Sequence, residues 1–174
     1  MDSNGDIVGT RYKEFKEMID YLETNKEISL KIVADDNLKK VLLLSAASYF
    51  EDEIKDIILS FVEKNSDNNP MIKSFVKNKA MERQYHTYFD WGTGNANRFF
   101  SLFGEEFKDQ AKGDVKDDSE LEKSIRDFLE IGNLRNELVH GNFAVFPIEK
   151  TVEEIYELYR SAHQFIDYMS SKLT

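Results

Sequence analysis

Apolar residues recur along this chain at spacings of three and four and almost nowhere in strict alternation, the pattern of amphipathic helices. Tyr12, Phe15, Met18, Ile19 and Leu22, with Lys and Glu between them, predict a first helix over 9–26. Residues 27–35 read as a short β-branched connection, with Asp35 or Asp36 available to cap the next helix. That long second helix is predicted over 36–64, carrying Leu38, Val41, Leu42, Leu44, Ala46, Tyr49, Phe50, Ile54, Ile57, Ile58 and Phe61. Its stretch 41–47 is apolar nearly all round and should be the most buried. Ser66 to Pro70 stops that helix and starts another, capped by Asn69 and running to Gln84. Then come an irregular stretch over 85–97, short helices near 95–103 and 104–112, and an acidic loop over 113–118.

Two capping boxes open the remaining long helices. Ser119-Glu120-Leu121-Glu122 begins one that ends at Gly141, and Thr151-Val152-Glu153-Glu154 begins one that reaches Lys172. Between them, Phe143, Val145 and Phe146 should fold back on the core. The last helix presents Ile155, Leu158, Tyr159, Ala162, Phe165, Ile166 and Met169 as one stripe. The expected architecture is all-α: an up-and-down helical bundle with a short-helix insertion, as a single domain over 1–174 whose residues 1–8 form a loose end.

Composition supports this reading and narrows the chemistry. Two Pro and eight Gly leave few breaks in regular structure. Cysteine is absent, which excludes a disulfide framework and thiolate metal sites and points to a cytoplasmic protein. No apolar run approaches the roughly 18 residues of a membrane span, and the polar, acidic Met1–Asp6 does not read as a secretory signal. No metal-ligand spacing and no cofactor motif stand out: Gly92-Thr93-Gly94 lacks the strand, helix and Lys of a phosphate loop. The net charge of −10 argues against a general nucleic-acid coat, although a local cluster of cations can still hold RNA.

One segment carries chemistry. On a helix turning about 100° per residue, Ile131, Leu134 and Leu138 form a core-facing stripe beside Arg135, with Asn136 and His140 on the adjoining flank. A guanidinium, an amide and an imidazole on one margin of a helix suit cleavage of an RNA phosphodiester. Imidazole can take a proton from the 2′-OH or give one to the leaving 5′-oxygen. Guanidinium can clamp the charge that grows on the phosphorane-like transition state. Asn136, donor and acceptor together, can orient either group.

Arg135-Asn136-x-x-x-His140 resembles the Arg-x(4–6)-His signature of HEPN ribonucleases. Leu134 to Gly141 looks most like the RiboL-PSP-HEPN branch. Glu51 and Lys55 resemble the Glu-x3-Lys element of many HEPN proteins. The resemblance extends from residue 36 to the end. It implies a helical bundle that forms a homodimer with a composite active site and cleaves RNA without metal, leaving a 2′,3′-cyclic phosphate and a 5′-OH. Such domains serve toxin–antitoxin, antiviral defence or stress-response systems, so an antitoxin or regulatory protein is an implied partner. In that scheme His140 is the acid–base residue, Arg135 binds the scissile phosphate and Asn136 supports it. Glu51 pairs with Arg135 or Lys55.

Other segments allow plainer readings. Tyr85 to Trp91 is an aromatic cluster whose exposed rings could stack on bases, although such clusters more often pin a loop to the core. Lys73, Lys77, Lys79, Arg83 and Arg98 make the middle of the chain its most basic part, a candidate RNA-backbone surface or a solvated face. His163 reads as structural. The alternative to a nuclease is a non-catalytic HEPN-like module that binds a partner protein or nucleotide, or a helical interaction domain docking through its aromatic middle.

Overall fold

A computed structural model describes residues 6–173. Eight α-helices and one π turn succeed one another, with no strand among the described residues: α1 (Ile7–Thr24), α2 (Ile28–Asn65), α3 (Pro70–Val76), the π turn (Lys77–Met81), α4 (Tyr85–Tyr88), α5 (Asn97–Ser101), α6 (Glu105–Asp117), α7 (Ser119–His140) and α8 (Val152–Leu173). The chain divides into two compact units, one of Met1–Tyr49 with Ile131–Arg160, the other of Phe50–Glu130 with Ser161–Thr174. Helices α2, α7 and α8 each contribute residues to both.

In the first unit, Val8 and Phe15 of α1, Leu38, Leu42, Leu43 and Ala46 of α2, Leu138 of α7 and Ile155 of α8 are buried. Each large side chain so buried contributes about 1.5–3 kcal/mol over its exposed state. Tyr12 stacks on Tyr156 with ring centroids 4.0 Å apart, and Lys16 reaches Glu153 at 2.6 Å, so α1 is tied to the start of α8. That start is a true capping box: Thr151 N–H donates to Glu154 Oε2 at 2.7 Å and Glu154 N–H to Thr151 Oγ1 at 3.1 Å.

Several expected boundaries move. Residues 28–35 are not a connection but the first two turns of α2; Asp35 and Asp36 are not caps but pair with Lys39 and Lys40, each at 2.7 Å within the helix. The segment holds no Pro or Gly, and the few tenths of a kcal/mol that each β-branched residue costs a helix do not stop a long one from extending. Ile28, Leu30, Ile32 and Val33 are consequently helical and exposed. The loose end is also shorter: Asp6 caps α1 by accepting from Gly9 N–H at 2.7 Å, and Val8 is buried, while residues 1–5 lie outside the described residues.

The second unit is built around aromatic rings. Phe89 lies 4.6 Å from Phe99 and 5.0 Å from Phe128, and Phe128 lies 5.0 Å from Phe165. Such pairs add about 0.5–1.5 kcal/mol beyond area burial. His163 meets the Phe50 ring edge at 5.5 Å. Asn69 caps α3 through Met71 N–H and Ile72 N–H, with Pro70 in the first turn, but the helix relaxes into the π turn after Val76. The expected acidic loop over 113–118 is helical to Asp117: Gly113 sits in α6 with open space around it, at the usual cost of about 1 kcal/mol relative to Ala. Asp118, not Ser119, caps α7, accepting from Glu120 N–H and Leu121 N–H at 3.0 Å each.

Candidate active site

The last turns of α7 hold Arg135, Asn136 and His140. Ile131 and Leu138 are sealed and Leu134 is half-buried, so the stripe through them faces the core of the first unit and fixes the rotation of the helix. Turning about 100° per residue from there places Arg135 at the edge of the buried face and Val139 and His140 on the open side. Arg135 and Asn136 are half-buried and His140 is exposed.

The structure brings two of the three together. The Nη1 group of Arg135 donates to Asn136 Oδ1 at 3.1 Å. Arg135 has no carboxylate partner among the described residues, so its remaining donors are available to an anion. Glu137, the acid inside the motif, instead accepts from Asn133 Nδ2 at 2.8 Å. The imidazole of His140 forms no hydrogen bond with Arg135 or Asn136.

The helix ends at His140, and the next position has no room for a side chain. Gly141 N–H donates to Glu137 O at 2.9 Å, and a Cβ at Gly141 would lie 2.9 Å from that oxygen and 3.3 Å from Phe146 Cδ2. Asn142 then turns the chain, its carbonyl accepting from Val145 N–H and Phe146 N–H and its Oδ1 from Ala144 N–H. Phe146 is half-buried as expected, but Phe143 and Val145 do not fold back: they are 45% and 72% exposed. The tight turn seats only one of the three apolar side chains inward.

Sequence reasoning passed over Lys40, which is fully buried, pairs with Asp36 and stands 5.6 Å from the Phe143 ring. Its only signal was the i, i+4 acid–base spacing, which many surface lysines share.

The remaining candidates belong to the second unit. Lys55 Nζ donates to Glu51 Oε1 at 2.5 Å and lies 6.0 Å from the Tyr85 ring centroid. Lys73 is engaged by Glu63, while Lys77, Lys79, Arg83 and Arg98 are exposed. Trp91 is half-buried: its Nε1–H donates to His86 O at 3.0 Å and its ring lies 4.9 Å from Phe89. That ring holds the loop over 89–95 against the aromatic core, which leaves only part of it open.

No group of three or more metal-ligating side chains occurs among the described residues, and no described helix is long and apolar enough to cross a membrane. The family description RiboL-PSP-HEPN matches residues 10–174. Comparison with curated proteins and with solved structures gave no match.

Proposed function

The chain belongs to the RiboL-PSP-HEPN family, a HEPN-type family of helical, RNA-related modules, and from that premise we propose that it is an endoribonuclease whose reaction needs no metal. The observation that carries this reading is the Arg135 guanidinium, steadied by Asn136, free of any acidic partner among the described residues and five positions before the exposed His140.

In the proposed reaction the 2′-oxygen of RNA loses its proton to an imidazole and attacks the adjacent phosphorus. The bond to the 5′-oxygen breaks, and that oxygen takes a proton from a second acid. The products are a 2′,3′-cyclic phosphate and a 5′-OH, and the protons balance between base and acid. Arg135 neutralises charge growing on the non-bridging oxygens. Asn136 holds the guanidinium in place. A homodimer would supply the second imidazole and the second guanidinium, giving a local positive cleft on a protein of net charge −10. Phe143, exposed just after His140, offers a face on which a neighbouring base can stack. Lys77, Lys79, Arg83 and Arg98 are proposed to contact backbone phosphates.

A second reading, a non-catalytic module that binds a partner protein, is favoured by the acidic net charge. Incubation of parent, His140→Ala and Arg135→Ala proteins with RNA in EDTA separates the two. The nuclease reading expects cyclic-phosphate ends from the parent, a loss of about 10²–10⁴-fold in the His140 variant and no cleavage of a 2′-deoxy substrate. Equal cutting by parent and His140→Ala would overturn it, and an inactive parent would favour the partner-binding reading.

A further inference from the structure

The second unit contains a cavity of about 350 Å³ that plays no part in the proposed cleavage chemistry. It lies between the loop at Gly94–Asn97 and helices α5, α6 and α7. Its volume falls within the usual range of small-molecule sites, roughly 300–1,000 Å³. Half-buried Val115 provides the apolar wall, with the sealed side chains of Phe100 and Ile125 behind it. Opposite chemistry comes from Lys112 and Lys116, one turn apart on α6, which both line the cavity and neither of which is ion-paired among the described residues. The one acid in the lining, Glu122, is already neutralised by Arg126 at 2.9 Å. The lining therefore presents two exposed ammonium groups with no ion-pair partner among the described residues, on a chain whose net charge is −10.

We propose that this cavity binds a small phosphate monoester of a flat aromatic or heteroaromatic ring. The ring lies against Val115, over the sealed Phe100 and Ile125, and the two lysines take the phosphate. Both features are needed to set the class. A hydrophobic ligand would leave the two ammonium groups unmatched, and inorganic phosphate would leave the apolar wall uncovered. Asn97, half-buried in the same lining, can add an amide donor or acceptor at the ring edge.

Isothermal titration of the full chain with 1-naphthyl phosphate tests the proposal, with inorganic phosphate and 1-naphthol as separate arms. One saturable site is expected for naphthyl phosphate, at least tenfold tighter than for either arm and weakened by salt. The Lys112→Gln/Lys116→Gln variant should lose at least tenfold in affinity. Val115→Trp, which fills the cavity and keeps both lysines, should abolish binding while the circular dichroism spectrum and Tm stay near those of the parent. Saturable binding that survives both variants, or no saturable binding by the parent, would overturn the proposal. Equal affinity for inorganic phosphate would overturn it too, since two surface lysines alone would then explain the result. Because His140→Ala leaves this cavity untouched, binding should persist in that variant whether or not the parent cuts RNA.

Discussion

Replacing Gly141 with Ala adds a single methyl group, yet it should disturb both the stability of the first unit and the position of His140. The added Cβ would stand 2.9 Å from Glu137 O, closer than a methyl carbon approaches a carbonyl oxygen, and 3.3 Å from the Phe146 ring. The nearer obstacle is backbone, so no rotamer change relieves it. That oxygen also accepts the Gly141 N–H, so moving it weakens the bond that closes α7. Overpacking of this kind costs about 1–3 kcal/mol. Restricting the unfolded chain returns about 0.4–1 kcal/mol. At the middle of each range the net loss is about 1.3 kcal/mol, and at about 2–4 °C per kcal/mol for a chain of this size Tm should fall by roughly 3–5 °C. Thermal unfolding measured by circular dichroism reads this directly. Phe146→Ala supplies the control: in the double variant the ring contact is gone but the carbonyl contact remains, so most of the loss caused by the methyl group should persist. A Gly141→Ala protein as stable as the parent, or full recovery in the double variant, would refute the assignment of the constraint to the Glu137 carbonyl. Cleavage by the variant should fall by more than the unfolded fraction explains, because the shift at residue 141 adjoins the proposed acid–base residue.

Two further outcomes concern pairs outside the motif. Asp114 accepts from Lys172 at 2.8 Å and from Tyr168 at 2.9 Å, and the lysine first, then the phenol, hold its carboxyl below the usual carboxylate range. A depressed carboxylate contributes stability above its unfolded pKa that is lost as pH falls through the lower folded value. Asp114→Asn should accordingly be less stable than the parent at pH 7, and the gap should close as urea titrations are repeated down from about pH 5; a gap that stays constant with pH would contradict the pairing. Thr151→Ala should cost about 1 kcal/mol by removing the cap of α8, and adding Glu154→Ala should cost less than its separate effect, because the two side chains serve one box.

How much of this fold the sequence disclosed depended on whether local signals had competitors. The caps at Asn69 and Thr151 were legible because each offers one oxygen to N–H groups that nothing else can satisfy. The stripe of α8 was legible because all seven of its named apolar residues, from Ile155 to Met169, are buried. Residues 28–35 misled because β-branched side chains prefer strands only weakly, and nothing in Ile28-Ser29-Leu30-Lys31 terminates a helix. Gly113 misled in the opposite direction: a glycine in an acidic run looks like a loop, but a helix bounded by Asp118 can carry it. At α7, two oxygens compete to cap one helix, and sequence cannot show that Asp118 reaches Glu120 and Leu121 while Ser119 is already the first helical residue.

The candidate site was legible to a different depth. Helical spacing fixes azimuth, so Arg135 at the margin of a buried stripe and His140 beyond it could be read from the order of residues alone. What spacing cannot fix is the state of each charge. The acid nearest in sequence, Glu137, stands two positions on and about 200° round the helix, on the face turned away from Arg135. There Glu137 accepts from Asn133, while Arg135 donates to the neutral oxygen of Asn136. A neutral partner orients a cation without cancelling its charge, whereas an acidic one would do both. The proposed role in an anionic transition state rests on this choice of partner rather than on the Arg-x4-His spacing, which many helices contain by chance. Asn136→Asp should therefore weaken cleavage while the fold holds, because an acidic partner at the same position would cancel the charge it orients; cleavage equal to the parent's in the metal-free RNA assay would contradict this.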